Sequence, residues 1–228
     1  LWKEYPVGDE TVVALQNITL NIMRGEICCI FGPSGSGKST LLNQLSGLEK
    51  PTRGEVLIGG IPISRLSEEQ LTNFRQRHLG FVFQSYNLLP NLTATENVAM
   101  PLMFRGVPRK QREAAARKIL CQVGLSHRLD HFPRQMSGGQ QQRAGIARAF
   151  IARPDVVFAD EPTGNLDSKT TVEIMDMICS FSRDYHQTII LVTHDPEMAS
   201  YADRIVTLID GEIVRNQLNS KENKHHES

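Results

Sequence analysis

The sequence predicts an α/β domain with a largely parallel sheet covered by helices on both faces and a helical segment inserted into it. Three observations carry that expectation. Short apolar runs rich in Val, Ile and Phe alternate with helix-length segments along most of the 228 residues. Several late runs, such as Val156-Val157-Phe158-Ala159, are apolar at consecutive positions, as strands buried on both faces require. Between about 93 and 151 the strand patterns stop and only helical ones remain.

Taken in order, strands are expected over Val12–Leu15, Ile18–Ile22, Glu26–Phe31, Glu55–Ile58, Leu79–Phe83, Val156–Ala159, Thr188–Thr193 and Ile205–Ile209. Helices are expected over Lys38–Leu48, Glu68–Arg77, Arg109–Val123, Gly139–Ile151, Ser168–Arg183 and Pro196–Tyr201. Thr93-Ala94-Thr95-Glu96 adds a capping box, in which Thr93 and Glu96 satisfy free N–H groups at a helix start. The chain therefore reads as a single domain over 1–228. Its core spans about 1–84 and 152–216, its helical subdomain about 93–151, and its polar tail about 217–228. His225 and His226 fall in that tail and read as solvated residues rather than metal ligands.

Lys and Arg together number 25, as do Asp and Glu, so the formal net charge is zero and nothing supports a nucleic-acid partner. No stretch approaches the roughly 18 consecutive apolar residues of a membrane-spanning helix. The first residues, Leu1-Trp2-Lys3-Glu4-Tyr5, lack the basic-then-apolar ramp of a signal peptide. Cys28, Cys29, Cys121 and Cys179 form no C-x-x-C pair and read as reduced, buried thiols of a cytosolic protein. His127 and His131 stand at helical spacing without a third ligand candidate.

Three motifs carry chemistry. Gly32-Pro33-Ser34-Gly35-Ser36-Gly37-Lys38-Ser39 fits G-x-x-x-x-G-K-[ST] and lies between an expected strand and an expected helix. Its glycines let successive N–H groups turn toward phosphate oxygens, and the helix start adds partial positive charge. Lys38 is then placed to reach the β- and γ-phosphates of a nucleotide, and Ser39 to ligate Mg²⁺. Asp160-Glu161 closes the buried run from Val156, at the strand end where open parallel sheets bind ligands. Asp160 suits Mg²⁺, and Glu161 suits orienting or deprotonating an attacking water. The plainer alternative is two acids capping the turn Pro162-Thr163-Gly164. Ser137-Gly138-Gly139-Gln140, at the start of another expected helix, makes a second place to bind phosphate; a flexible glycine loop is the alternative there.

Met136-Ser137-Gly138-Gly139-Gln140-Gln141-Gln142-Arg143 resembles the signature motif of ABC ATPases, with Met136 where Leu is usual. The resemblance covers nearly the whole chain and its motifs occur in the family's order. It implies a P-loop NTPase core with an N-terminal antiparallel β-subdomain and an inserted α-helical subdomain. It also implies ATP held by Gly32, Ser34, Gly35, Ser36, Gly37, Lys38, Ser39 and Thr40, with Tyr5 stacking on adenine. Gln84 matches the glutamine that senses Mg²⁺ and water, His194 the switch histidine at the γ-phosphate, and Asp167 lies in the D-loop-like Asn165-Leu166-Asp167. Taken alone, Tyr5 also fits a core or surface aromatic, Gln84 a strand-end polar residue and His194 a cap.

The resemblance further implies a head-to-tail homodimer closed by ATP, each nucleotide lying between one P-loop and the signature of the other copy. Gly80-Phe81-Val82-Phe83-Gln84 and Asp160 to Asp167 are similar to the MacB/LolD/FtsE type, which serves macrolide and peptide export, lipoprotein release and cell-division complexes. That type implies a motor on the cytoplasmic face of a membrane. A permease would dock near Gln84–Pro90, leaving a partly exposed apolar groove around Leu88 and Leu89. The competing class, a soluble ABC ATPase acting on nucleic acid or ribosomes, would call for coiled-coil heptads, zinc-type cysteine pairs or a second P-loop, and none occurs in the sequence.

Overall fold

A computed structural model describes residues 1–219. In chain order the first elements are β1 (Lys3–Val7), β2 (Glu10–Leu15), β3 (Ile27–Phe31), α1 (Lys38–Leu45), β4 (Leu57–Ile58) and β5 (Ile61–Pro62). Then come α2 (Glu68–His78), β6 (Leu79–Phe83), α3 (Ala94–Phe104), α4 (Arg109–Gln122), α5 (Gly138–Phe150), β7 (Val156–Asp160) and α6 (Ser168–Tyr185). The last are β8 (Thr188–Thr193), α7 (Pro196–Ala199), β9 (Arg204–Ile209) and β10 (Glu212–Leu218).

The chain divides into two compact units. One holds 1–66 with everything from Thr188 onward, and the other holds Ser67–Gln187. In the first, β3 pairs in parallel with both β8 and β9, and β10 closes the edge antiparallel to β9. Ile27–Ile30 and all of β8 are buried, which accounts for their unbroken apolar sequence. Two antiparallel pairs, β1 with β2 and β4 with β5, stand apart from that sheet.

In the second unit, β6 and β7 pair in parallel, and Phe81 stacks on Phe158 across them at 5.5 Å. Between these two strands the chain runs through α3, α4 and α5 with no strand. The Thr93 capping box forms as expected: the Thr93 hydroxyl accepts from the Glu96 N–H, and the Glu96 carboxylate accepts from the Thr93 N–H at 2.8 Å. Helix α2 opens on a second box, between Ser67 and Gln70. Helix α6 ends where His186 turns left-handed, at φ 52°.

The structure differs from the sequence expectation at several places: α1 stops at Leu45 rather than Leu48, β5 and β10 were not expected, and Cys121 is exposed rather than buried. The segment 18–22 alternates in burial but joins no sheet ladder; Ile18 is buried and exchanges hydrogen bonds with Leu1 alone. Strand β1 was not expected, because Pro6 interrupts its pattern; it lies on the edge of a two-stranded pair, where a missing N–H is tolerated. The expected tail begins too early. Gln217 and Leu218 belong to β10, and the Asn219 amide donates to the carbonyls of Ser200 and Ala202. The remainder of that tail, with His225 and His226, lies outside the described residues.

Candidate functional site

Strand β3 delivers the phosphate loop of the first unit. The chain leaves the buried strand at Phe31 and turns back through Gly35 and Gly37, at φ 81° and 97°. Helix α1 then starts at Lys38 with Gly37 as its N-cap and no side-chain cap. Such a start leaves first-turn amides for a ligand oxygen, with the helix dipole behind them. Neighbouring backbone presses on the loop from two sides. A Cβ on Gly32 would stand 2.2 Å from the Leu208 carbonyl oxygen, and one on Gly37 would stand 2.8 Å from that of Ala14. Lys38 is buried and its Nζ donates to the Pro33 carbonyl at 2.7 Å, arching over the loop. The Ser36 hydroxyl is buried without a hydrogen-bond partner, facing the same turn, while Ser34 and Ser39 are exposed.

A cleft of about 420 Å³ opens on this loop. The loop and helix start contribute Gly35 and Gly37 through Thr40, strand β2 contributes Val12 to Ala14, and the β9–β10 turn contributes Asp210 and Gly211. Val12 and Val13 are 48% and 44% exposed, so an apolar wall stands beside an anion cradle. That pairing suits a ligand with a flat apolar part and a phosphate chain. Neither valine's role shows in the sequence, where both only continue a strand. Tyr5 sits on β1 with its hydroxyl donating to Glu49 at 2.6 Å and the Lys3 ammonium 4.9 Å from its ring centre. Burial, then the Glu49 carboxylate, raises the Tyr5 pKa, and the neighbouring Thr40 hydroxyl opposes the shift. Tyr5 is not among the residues that line the cleft. His194 is exposed and follows β8, whose Thr193 is in register with Phe31 of β3. Gly32 and His194 therefore leave paired strands at the same step.

In the second unit the same geometry recurs. Phe83 of β6 is in register with Asp160 of β7, so Gln84 and Glu161 leave paired strands side by side. Glu161 has φ 42°, a left-handed turn that ends the strand abruptly. The Asn165 amide donates to the Gln84 carbonyl at 3.1 Å, and the Gln84 side-chain nitrogen fills the space beside Gly164 where a Cβ would stand at 2.6 Å. Buried Gln142, on α5, donates to the Pro162 carbonyl directly after Glu161.

Helix α5 begins at Gly138, one residue earlier than expected, and Ser137 is its N-cap. Here the cap is filled. The Ser137 hydroxyl accepts from the Gln140 N–H at 3.3 Å, and the Gln140 side chain accepts from the Ser137 N–H at 3.1 Å. The S-x-x-Q spacing carried that signal. Asp167 caps α6 in the same way: its carboxylate accepts from the Thr170 N–H at 3.0 Å and from the Thr170 hydroxyl at 2.7 Å. Those bonds hold the Asp167 pKa below its usual value. Thr170 in turn packs on Gly139, with its methyl 2.9 Å from where a Cβ would be.

A separate groove of about 430 Å³ lies among Leu89, Leu92, Met100, Met103 and Phe104, rimmed by Arg109, Arg112, Glu96 and Glu113. Leu89, Met103 and Phe104 are 46%, 43% and 54% exposed, so the groove keeps an apolar floor open. No helix among the described residues is long and apolar enough to cross a membrane, and none of them forms a cluster of three or more His, Cys, Asp or Glu able to hold a metal.

Comparison with known proteins points in one direction. A family model described as ABC transporter matches residues 15–164. An uncharacterised ABC transporter ATP-binding protein of Thermotoga maritima is 49% identical, over 93% of this chain and 91% of that one. The macrolide export ATP-binding/permease protein MacB of Salmonella typhi is 48% identical over 94% of this chain, which spans about a third of MacB, 33%. Among solved structures, the ATP-binding cassette MJ0796, dimeric in a post-hydrolysis state with ADP and Pi, matches with a TM-score of 0.87 at 44% identity over 95% of each chain. CbiO1 of Clostridium perfringens, part of the ABC transporter complex cbiONQ, matches with a TM-score of 0.84 at 30% identity, over 95% of this chain and 86% of that one.

Proposed function

The chain belongs to the ABC transporter family as an ATP-binding cassette, and from that premise we propose that it is the ATP-hydrolysing motor of a membrane transport or mechanotransmission complex. The phosphate cradle at α1 carries this reading. Its helix start has no side-chain cap, and the glycines on which neighbouring backbone closes frame a cleft with an apolar wall. ATP would lie with its phosphates on residues 32–40 and its base toward Val12, Val13 and Tyr5.

Mg²⁺ would suit the donor chemistry of the Ser39 hydroxyl and the Asp160 carboxylate. Both are hard oxygen ligands of the kind that hold Mg²⁺ together with substrate phosphates and water. When bound, the ion would neutralise charge on the phosphates. Glu161 would orient or deprotonate the attacking water, Gln84 would hold that water and the metal in place, and His194 would contact the γ-phosphate.

In this reading two copies pack head to tail around ATP. Ser137 and Gln140 cap α5 through their oxygens, as acceptors, and keep their O–H and N–H donors, so the γ-phosphate of the other copy's ATP would be met by those donors, by the backbone of Gly138 and Gly139, and by the helix dipole. Binding then favours closure and hydrolysis removes the bridge. A helix from a permease of the MacB or FtsX kind would occupy the groove at Leu89, Met103 and Phe104. Such a partner would place the chain at the cytoplasmic face of a membrane.

The test is Glu161→Gln. It keeps the shape of the side chain but removes the carboxylate, and is expected to slow hydrolysis by about 100-fold or more while ATP still binds. Light scattering should show monomers that become dimers with Mg·ATP. Hydrolysis at the wild-type rate would refute the role given to Glu161.

A further inference from the structure

The loop after Gln84 is held against α5 at several points along one helical stripe. Tyr86 and Asn87 are consecutive left-handed residues, at φ 60° and 48°, and a tyrosine in that conformation costs roughly 1 kcal/mol or more, so it persists only where its surroundings impose it. The surroundings are Arg148. Its half-buried guanidinium donates to the Tyr86 carbonyl at 2.8 Å and to the Asn87 carbonyl beside it, both neutral acceptors. Burial correspondingly pushes the Arg148 pKa down. One turn back, the Tyr86 carbonyl would stand 3.6 Å from a Cβ on Gly145.

At the start of the same helix, the Tyr86 hydroxyl lies 2.7 Å from where a Cβ on Gly138 would stand. It fills a notch that only glycine leaves. Gly138, Gly145 and Arg148 are spaced seven and three apart, so one face of α5 carries the whole track.

We propose that Tyr86 and Arg148 are positioning residues for the phosphate-binding start of α5. Arg148 locks the backbone turn, and the Tyr86 hydroxyl seats in the Gly138 notch. The loop that follows Gln84 thereby sets where Gly138 and Gly139 present their amides. This rests on the reading of α5 as the second phosphate site.

The experiment uses the full chain carrying Glu161→Gln. Mg·ATP affinity and ATP-driven dimerisation are measured separately, with kcat and KM taken on the corresponding chains that retain Glu161. Tyr86→Ala and Arg148→Gln should leave ATP affinity within about twofold, raise the protein concentration needed for dimerisation about tenfold, and lower kcat rather than raise KM. Arg148→Gln risks misfolding, so a size swap decides. Gly138→Ala should impair dimerisation, and adding Tyr86→Phe should restore it several-fold, because the nearest remaining tyrosine atom, Cζ, is an ordinary 3.6 Å away. A merely structural tyrosine, or a Gly138 defect arising only at the phosphate, would show no such rescue.

Absence of rescue, or variants that dimerise as tightly as their parent, overturns the proposal while leaving the motor reading intact. If the Glu161→Gln parent itself never dimerises with Mg·ATP, the motor reading fails and this proposal falls with it.

Discussion

Two helices of this protein begin at glycine turns suited to anions, and they are finished in opposite ways. Helix α1 has a left-handed glycine at its N-cap and no side-chain cap, with a buried lysine as its first residue. Helix α5 is capped by its own Ser137 and Gln140, in a reciprocal pair that already occupies the side-chain oxygens and two backbone N–H groups. A start without a side-chain cap has its amides ready for a ligand; a self-capped start is stable alone and offers a weaker grip. The difference fits an order of events in which nucleotide binds first at α1 and meets α5 second.

The largest test of that contrast is Lys38→Ala. Removing the Lys38 cation from the cradle should reduce hydrolysis by roughly 100- to 1000-fold and weaken Mg·ATP binding, read by calorimetry. Hydrolysis within tenfold of wild type would mean that the backbone amides alone do the holding. Ser137→Ala sharpens the comparison from the other side. Losing the cap should cost about 1 kcal/mol of stability, seen as a fall of about 2–4 °C in the unfolding midpoint, while ATP binding at α1 is unchanged. A large loss of ATP affinity would mean that the two starts are not separable.

The smallest effect concerns pH. The box of α5 uses Gln140, which does not titrate, whereas that of α3 uses Glu96, whose pKa lies below its usual 4.5 chiefly because of the Thr93 N–H. A depressed carboxylate contributes stability above the unfolded-state pKa and loses it as pH falls through the folded one. Glu96→Gln should therefore remove a small acid-side decline in stability below about pH 4.5, whereas Gln140→Ala should shift stability evenly across pH. Superimposable pH profiles of wild type and Glu96→Gln would refute that role for Glu96.

The sequence made the parallel core readable because buried strands such as Thr188–Thr193 are apolar throughout, and the P-loop readable because its glycines and lysine have few other uses in that spacing. What escaped it depended on partners distant along the chain. The alternation at 18–22 looks like a strand, but no ladder receives it. Strand β1 carries a proline that only an edge position tolerates. In the site, Val12 and Val13 acquire meaning only through the cleft they line, and Arg148 only through the two carbonyls it reaches from 61 and 62 residues away. The Ser137–Gln140 box was legible by spacing, yet a hydroxyl at a phosphate-type motif invites a ligand reading before a capping one.

The register of the strand pairs has a consequence for how this protein can change in length. Gln84 and Glu161 sit one residue past Phe83 and Asp160, which face each other across β6 and β7. Side chains alternate along a strand, so a single residue inserted in β6 would both push Gln84 past its neighbour and turn it to the opposite face. The same holds for His194 beside Gly32. Insertions and deletions are therefore better tolerated in connections such as 105–108 and 123–132, and the four strands that lead into Gly32, Gln84, Glu161 and His194 behave as fixed rulers.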